Sequence, residues 1–147
     1  MRTRPASPAD VGALRFALLD TLTSLTGDAV EADTPAAAHL PAAALLHPAT
    51  PTPGSDRVDD LVALATAVVH GADGHDPATT GVDHFVLAVA LLLRHRLDDG
   101  GWDTDLTDLP SAVAHLHAAM AALPPRHPAA KTIIEALPAF LDPGRPS

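Results

Sequence analysis

The chain has no cysteine and no tyrosine, and its aromatic bulk is limited to one tryptophan and three phenylalanines. Without cysteine there are no disulfides, no thiolate metal sites and no cysteine nucleophile. A cytoplasmic location is the expectation that fits such a chain. With so few aromatics, the core must be built from Leu, Val and Ala, which suits close helix–helix packing and argues against a β-sandwich. Positive charge is scarce as well: nine Lys and Arg stand against eighteen Asp and Glu, a formal charge of −9. That balance repels phosphate backbones and anionic membranes, so neither nucleic acid nor a membrane is an expected partner. Its simplest role is solubility. Long apolar runs are missing too, the longest being Phe85 to Leu93, far too short to cross a bilayer. Asp10, Arg15 and Asp20 interrupt the segment that follows the basic start, so no secretory leader is expected.

What is present is helical periodicity. Ser7-Pro8-Ala9-Asp10 is a helix start, and Val11, Leu14, Leu18, Leu22 and Leu25 form one apolar stripe ending at Gly27. Prolines at 35, 41, 48, 51 and 53 mark residues 28–54 as a connector, with a short Ala-rich helix over 36–47 broken near Pro41. A second strong helix begins at Ser55 and carries Val58, Leu61, Val62, Ala65, Val68 and Val69 on one face. Asp76-Pro77 opens a third, apolar over most of its circumference between 85 and 93, which should make it the central element. Asp108 starts a fourth with Ala112, Val113, Leu116, Met120 and Leu123 inward, stopped by Pro124 and Pro125. The last begins near Pro128, presents Ile133, Ile134, Leu137, Phe140 and Leu141, and is bent or weakened at Pro138. No run of alternating β-branched residues appears, so the expected fold is all-α: stacked antiparallel helical hairpins of five to six helices in one domain, 1–147. Within it, 8–27 is an N-terminal helix, 28–54 the connector and 55–142 two repeated helix pairs.

The repeat is visible in the text. Leu61, Leu64 and Val68 recur as Val113, Leu116 and Met120, and His75 recurs as His127. Val82, Phe85 and Val89 recur as Ile134, Leu137 and Leu141, all at a spacing of 52. Repetition at this scale marks stacked helical hairpins, which seldom perform chemistry and usually hold other proteins.

The segment Asp108-Leu109, Ala112-Val113 and Pro124-Pro125-Arg126-His127-Pro128 resembles the second helix and closing loop of a divergent tetratricopeptide repeat. The form it is similar to is common in actinobacterial proteins that carry a CHAT (caspase-like) domain. Leu87 to Arg96, followed by Gly101 and Asp103, looks like the first helix and loop of the same repeat. The likeness covers about residues 56–141. Pro110 and Ser111 replace its usual acidic pair, and Ala72-Asp73-Gly74-His75 replaces the double proline in the first copy. The resemblance implies a scaffold or sensor module, and CHAT proteases need a Cys–His pair that a cysteine-free chain lacks.

Candidate chemistry is thin. His115 and His117 lie about 200° apart on a helix and cannot share a metal from it. His75 and His127 read as loop and helix-end hydrogen bonders. His84 reads as a partly buried structural residue that could instead face a groove, and His95 as a solvated helix end. No HExxH or Glu-x-x-His pattern occurs. A calcium loop starting at Asp103 would need Gly and Glu where Asp108 and Ala114 stand. Trp102, in the acidic segment 98–107, either plugs the end of a hairpin or anchors a partner. There is no Gly-x-Ser-x-Gly and no phosphate-cradling glycine loop, and the two glutamates, Glu31 and Glu135, are in unrelated places. No metal, no cofactor and no enzymatic activity are therefore expected. The leading expectation is a protein- or peptide-binding module whose groove is lined by Asp83, His84, Val86 and Ala90, with Trp102 as a further partner contact. The rival is a compact bundle with a small-molecule or enzymatic pocket. The last helix carries enough apolar surface to predict either a homodimer through it or residues 1–47 folding over it.

Overall fold

The structure is a computed structural model and describes residues 8–26, 38–46, 54–71, 77–97 and 108–141. The fold is all-α. Six helices are described: α1 (Pro8–Thr26), α2 (His39–Ala44), α3 (Ser55–Gly71), α4 (Pro77–Leu97), α5 (Asp108–Ala122) and α6 (Pro128–Leu141). No strand occurs among the described residues. Gly27, His75, Trp102 and the acidic segment 98–107 lie outside them, so the expectations placed there do too.

Helix α4 is the hub. Every residue from Val82 to Leu93 except His84 is buried. A helix apolar on all sides has to be covered on all sides. α5 and α3 supply most of that cover, while α2 and α6 take smaller shares. Both major neighbours run antiparallel to α4. Asp59 at the start of α3 reaches Arg94 near the end of α4. Gly81 near the start of α4 sits against Leu123, just past the end of α5, and His84 meets His115, about two turns back along α5. α1 packs chiefly on α3, with Leu18, Leu19 and Leu22 buried and Leu14 and Leu25 half-covered.

The predicted face of α3 is the observed one: Val58, Leu61, Val62, Ala65 and Val68 are buried and Val69 is half-buried against them. In the later helices the expected faces hold only in part: Ala112, Leu116, Leu123 and Ile133 are buried as expected, and Met120 and Ile134 are not. In α5 the buried line is Ala112, Leu116, Ala119 and Leu123, while Met120 is 45% exposed. In α6 it is Ala129, Ile133 and Ala136, while Ile134 is 61% exposed. Buried positions thus correspond at a spacing of 51, pairing Leu61 with Ala112, Ala65 with Leu116, Val68 with Ala119, Val82 with Ile133 and Phe85 with Ala136. One residue is 100° of helix rotation, so the textual spacing of 52 lays core positions over surface ones.

Beyond the first residue, three prolines sit inside helices: Pro41, Pro110 and Pro138. Pro41 does not break α2, because it is the third residue of the helix and its missing N–H is one that a first turn leaves unpaired. α6 likewise continues past Pro138 to Leu141. α2 lies against α6 and joins it through His39 Nδ1 and Thr132 Oγ1, 3.1 Å apart. Residues 38–46 therefore cover one face of the last helix.

The Pro-Pro-Arg-His-Pro segment has a mechanical explanation. The His127 N–H donates to the Pro124 carbonyl (3.0 Å), closing a turn with Pro125 at its second position, where a fixed φ is favoured. The Ala129 N–H then donates to His127 Nδ1 (3.0 Å), so the imidazole caps α6 with Pro128 at the first helical position.

Candidate functional site

Two features concentrate polar chemistry on this scaffold: a seam where α1 and α5 meet α4, and an open groove between α1 and α3.

In the seam, Arg15 Nη2 donates to Asp83 Oδ2 at 2.8 Å, and its Nε lies 3.3 Å from both carboxylate oxygens. The side chains are 11% and 6% exposed, so this is a buried, forked ion pair between α1 and α4. Each partner is stranded on an apolar face. Arg15 falls in line with Leu19, Leu22 and Thr26, and Asp83 interrupts the buried run of α4. Truncating one partner would leave the other buried and uncompensated.

The next residue, His84, faces His115 of α5 with Nδ1 to Nδ1 at 2.9 Å. The ring centres are 5.1 Å apart and the planes inclined by 25°. That separation is about the Nδ1 distance plus one ring radius at each side. The two nitrogens therefore lie nearly on the line between the centres, and the rings meet edge to edge. One must carry its proton on Nδ1 and the other on Nε2. Burial lowers the proton affinity of both. The Asp83 carboxylate partly opposes this at His84, whereas His84 and His70 lower His115 further. A second imidazole pair, His39 and His127, meets edge to face at 6.4 Å where α2 crosses the start of α6. Burial, and then His127, lowers the proton affinity of His39. Among the described residues no group of three or more His, Cys, Asp or Glu could hold a metal ion.

The groove lies on the other side of α1. Thr21, Arg57, Asp60, Ala63, Leu64 and Ala67 line an open depression of about 390 Å³. Arg57 Nη2 donates to Ser24 Oγ (3.3 Å) at one end, tying α3 to α1. Ala63, Leu64 and Ala67 give it an apolar lining, and Arg57 and Asp60 are its charged residues.

Of the predicted groove residues, Asp83, Val86 and Ala90 are buried among the helices and no partner reaches them in this conformation. The physical reason is that α4 is the hub and presents no open side there. His84 is half-buried and engaged with His115, and Trp102 lies outside the described residues. His95, expected to be solvated, is half-buried, with its Nδ1 covered and without a hydrogen-bond partner. Arg15 was missed, although a charge on an apolar stripe signals a buried counter-charge. The His84–His115 meeting had no such signal, since it depends on how α5 is set against α4.

No protein-family model, curated protein sequence or solved structure matches the chain. No helix among the described residues is long and apolar enough to cross a membrane.

Proposed function

We propose that the chain is a non-catalytic, tetratricopeptide-like helical module that binds a helical segment of a protein partner in the groove between α1 and α3. The groove carries the proposal. Its α3 wall, Arg57, Asp60, Ala63, Leu64 and Ala67, runs about 15 Å along the helix, the length of nearly three helical turns. The small side chains of Ala63 and Ala67 on that wall let a helix approach closely, and Arg57 and Asp60 offer one charge of each sign to fix its direction. The buried polar groups support the same reading, because Arg15, Asp83, His84 and His115 are engaged with each other across helix interfaces.

The test is affinity capture from the native host with the full chain, compared with Ala63→Arg and Ala67→Arg. Both alanines are exposed, so these variants should keep the helical circular dichroism of the parent. The expected result is a protein recovered by the parent and lost by both variants. Recovery of the same protein by all three contradicts the groove. Recovery of no protein together with a tightly held small molecule contradicts the module.

A further inference from the structure

α4 and α5 form the most extensive helix pair of the fold, and His84 and His115 put two ionisable rings into it. We propose that these two histidines form a proton-sharing clasp that holds α5 to α4 at neutral pH and releases it when both rings are charged.

The edge-to-edge approach carries the inference. At 2.9 Å with the nitrogens nearly on the line of centres, the Nδ1 lone pair of one ring aims at the Nδ1 proton of the other. A metal ion bound by both nitrogens would need the lone pairs to converge beside that line, and here they point along it. No third metal-binding side chain completes a set among the described residues.

The groups around the pair decide the order of protonation. Asp83 precedes His84 on α4 and is held by Arg15 of α1, while His70 approaches from α3. His117, on α5 itself, is exposed and about 200° away around the helix. Asp83 favours charge on His84, whereas His70 and His84 both oppose charge on His115. The clasp takes His84 as the Nδ1–H donor and His115 as the Nδ1 acceptor, the arrangement in which the first positive charge falls on His84, beside Asp83. A first added proton goes to Nε2 of His84 and leaves the bond intact, now charge-assisted. A second has only Nδ1 of His115 to occupy. It sets two N–H groups and two positive charges against each other, and the contact is lost.

The experiment is nitrogen-resolved NMR of the imidazoles in the full chain, taken from about pH 7.5 to about pH 4.5 with and without EDTA. At the upper pH, His84 is expected as the Nδ1–H tautomer and His115 as Nε2–H, with a scalar coupling between the two Nδ1 nuclei that EDTA leaves unchanged. On acidification His84 titrates first with the coupling retained. The coupling then disappears as His115 titrates, and hydrogen-exchange protection of α5 amides falls about tenfold, the equivalent of one net hydrogen bond. His115→Asn places a non-titrating amide oxygen near the Nδ1 position and should keep most of that protection in acid. Two Nε2–H tautomers without coupling at the upper pH would overturn the clasp. So would loss of the coupling in EDTA, or an acid loss of α5 protection that is the same in His115→Asn.

Discussion

Arg15 and Asp83 are each out of place on their own helices, and the structure explains both by putting them together. Removing water from two charges costs several kcal/mol per ion, which the forked geometry offsets. The pair fixes where α1 sits more than it adds net stability. Arg15→Met alone should therefore destabilise the chain by about 3 kcal/mol, whereas Arg15→Met with Asp83→Leu should recover most of that loss. Urea midpoints of the parent, the two single variants and the double variant measure this. A double variant as unstable as the singles would show that the site needs its charges. At the same scale, Pro124 to Pro128 was legible in the sequence as a helix-to-helix connection. Its histidine is explained by one hydrogen bond to the Ala129 N–H.

At the scale of elements, helix identity was legible because each segment is punctuated by Pro, Gly or a cap. The centrality of α4 was legible because it is apolar all round. The inward faces of α5 and α6 were legible in part, through Ala112, Leu116, Leu123 and Ile133. Both are rich in Ala, and Met120 and Ile134, expected inward, are exposed, whereas packing buries Ala119 and Ala136 beside the expected Ile133. Alanine lines these contacts because the helices approach closely. Gly81 shows how closely: a Cβ there would lie 2.6 Å from Leu123 Cγ and 3.3 Å from the Ala119 carbonyl. Cγ is the branch point of the leucine, so its whole side chain would have to move. Gly81→Ala gains up to about 1 kcal/mol in helix propensity but should lose about 1–2 kcal/mol net through this overpacking. In a Leu123→Ala background the same change should be neutral or stabilising. Thermal melts of the four chains test the pair, and equal effects in both backgrounds would mean that Leu123 is not the obstacle.

For the molecule as a whole, one buried and two half-buried histidines link pH to stability. His39, His84 and His115 all bind protons less readily than an ordinary imidazole, each mainly because of burial. Between the ordinary value, about 6.5, and their depressed values, the unfolded chain holds more protons than the folded one. Stability should therefore be greatest above about pH 6.5 and fall as pH drops below it, levelling off once the folded-state rings have also charged. Denaturant midpoints measured across this range check the sign, and a midpoint that rises on acidification would contradict it.

The groove is the least legible feature. Thr21 belongs to one helix and Ala63, Leu64 and Ala67 to another, and only the angle at which α1 lies on α3 opens a depression between them. Sequence reasoning looked for the binding face on α4, taken as the first helix of a repeat whose stack presents that side to a groove, but residues 85–93 of that helix are the interior of the fold. The most direct measurement is photo-crosslinking in the native host, with the reactive side chain at Ala63 in one chain and at Met120, an exposed position on α5, in another. The account predicts a discrete protein adduct from position 63 that position 120 does not form. Adducts that are the same from both positions, or absent from position 63, would contradict it.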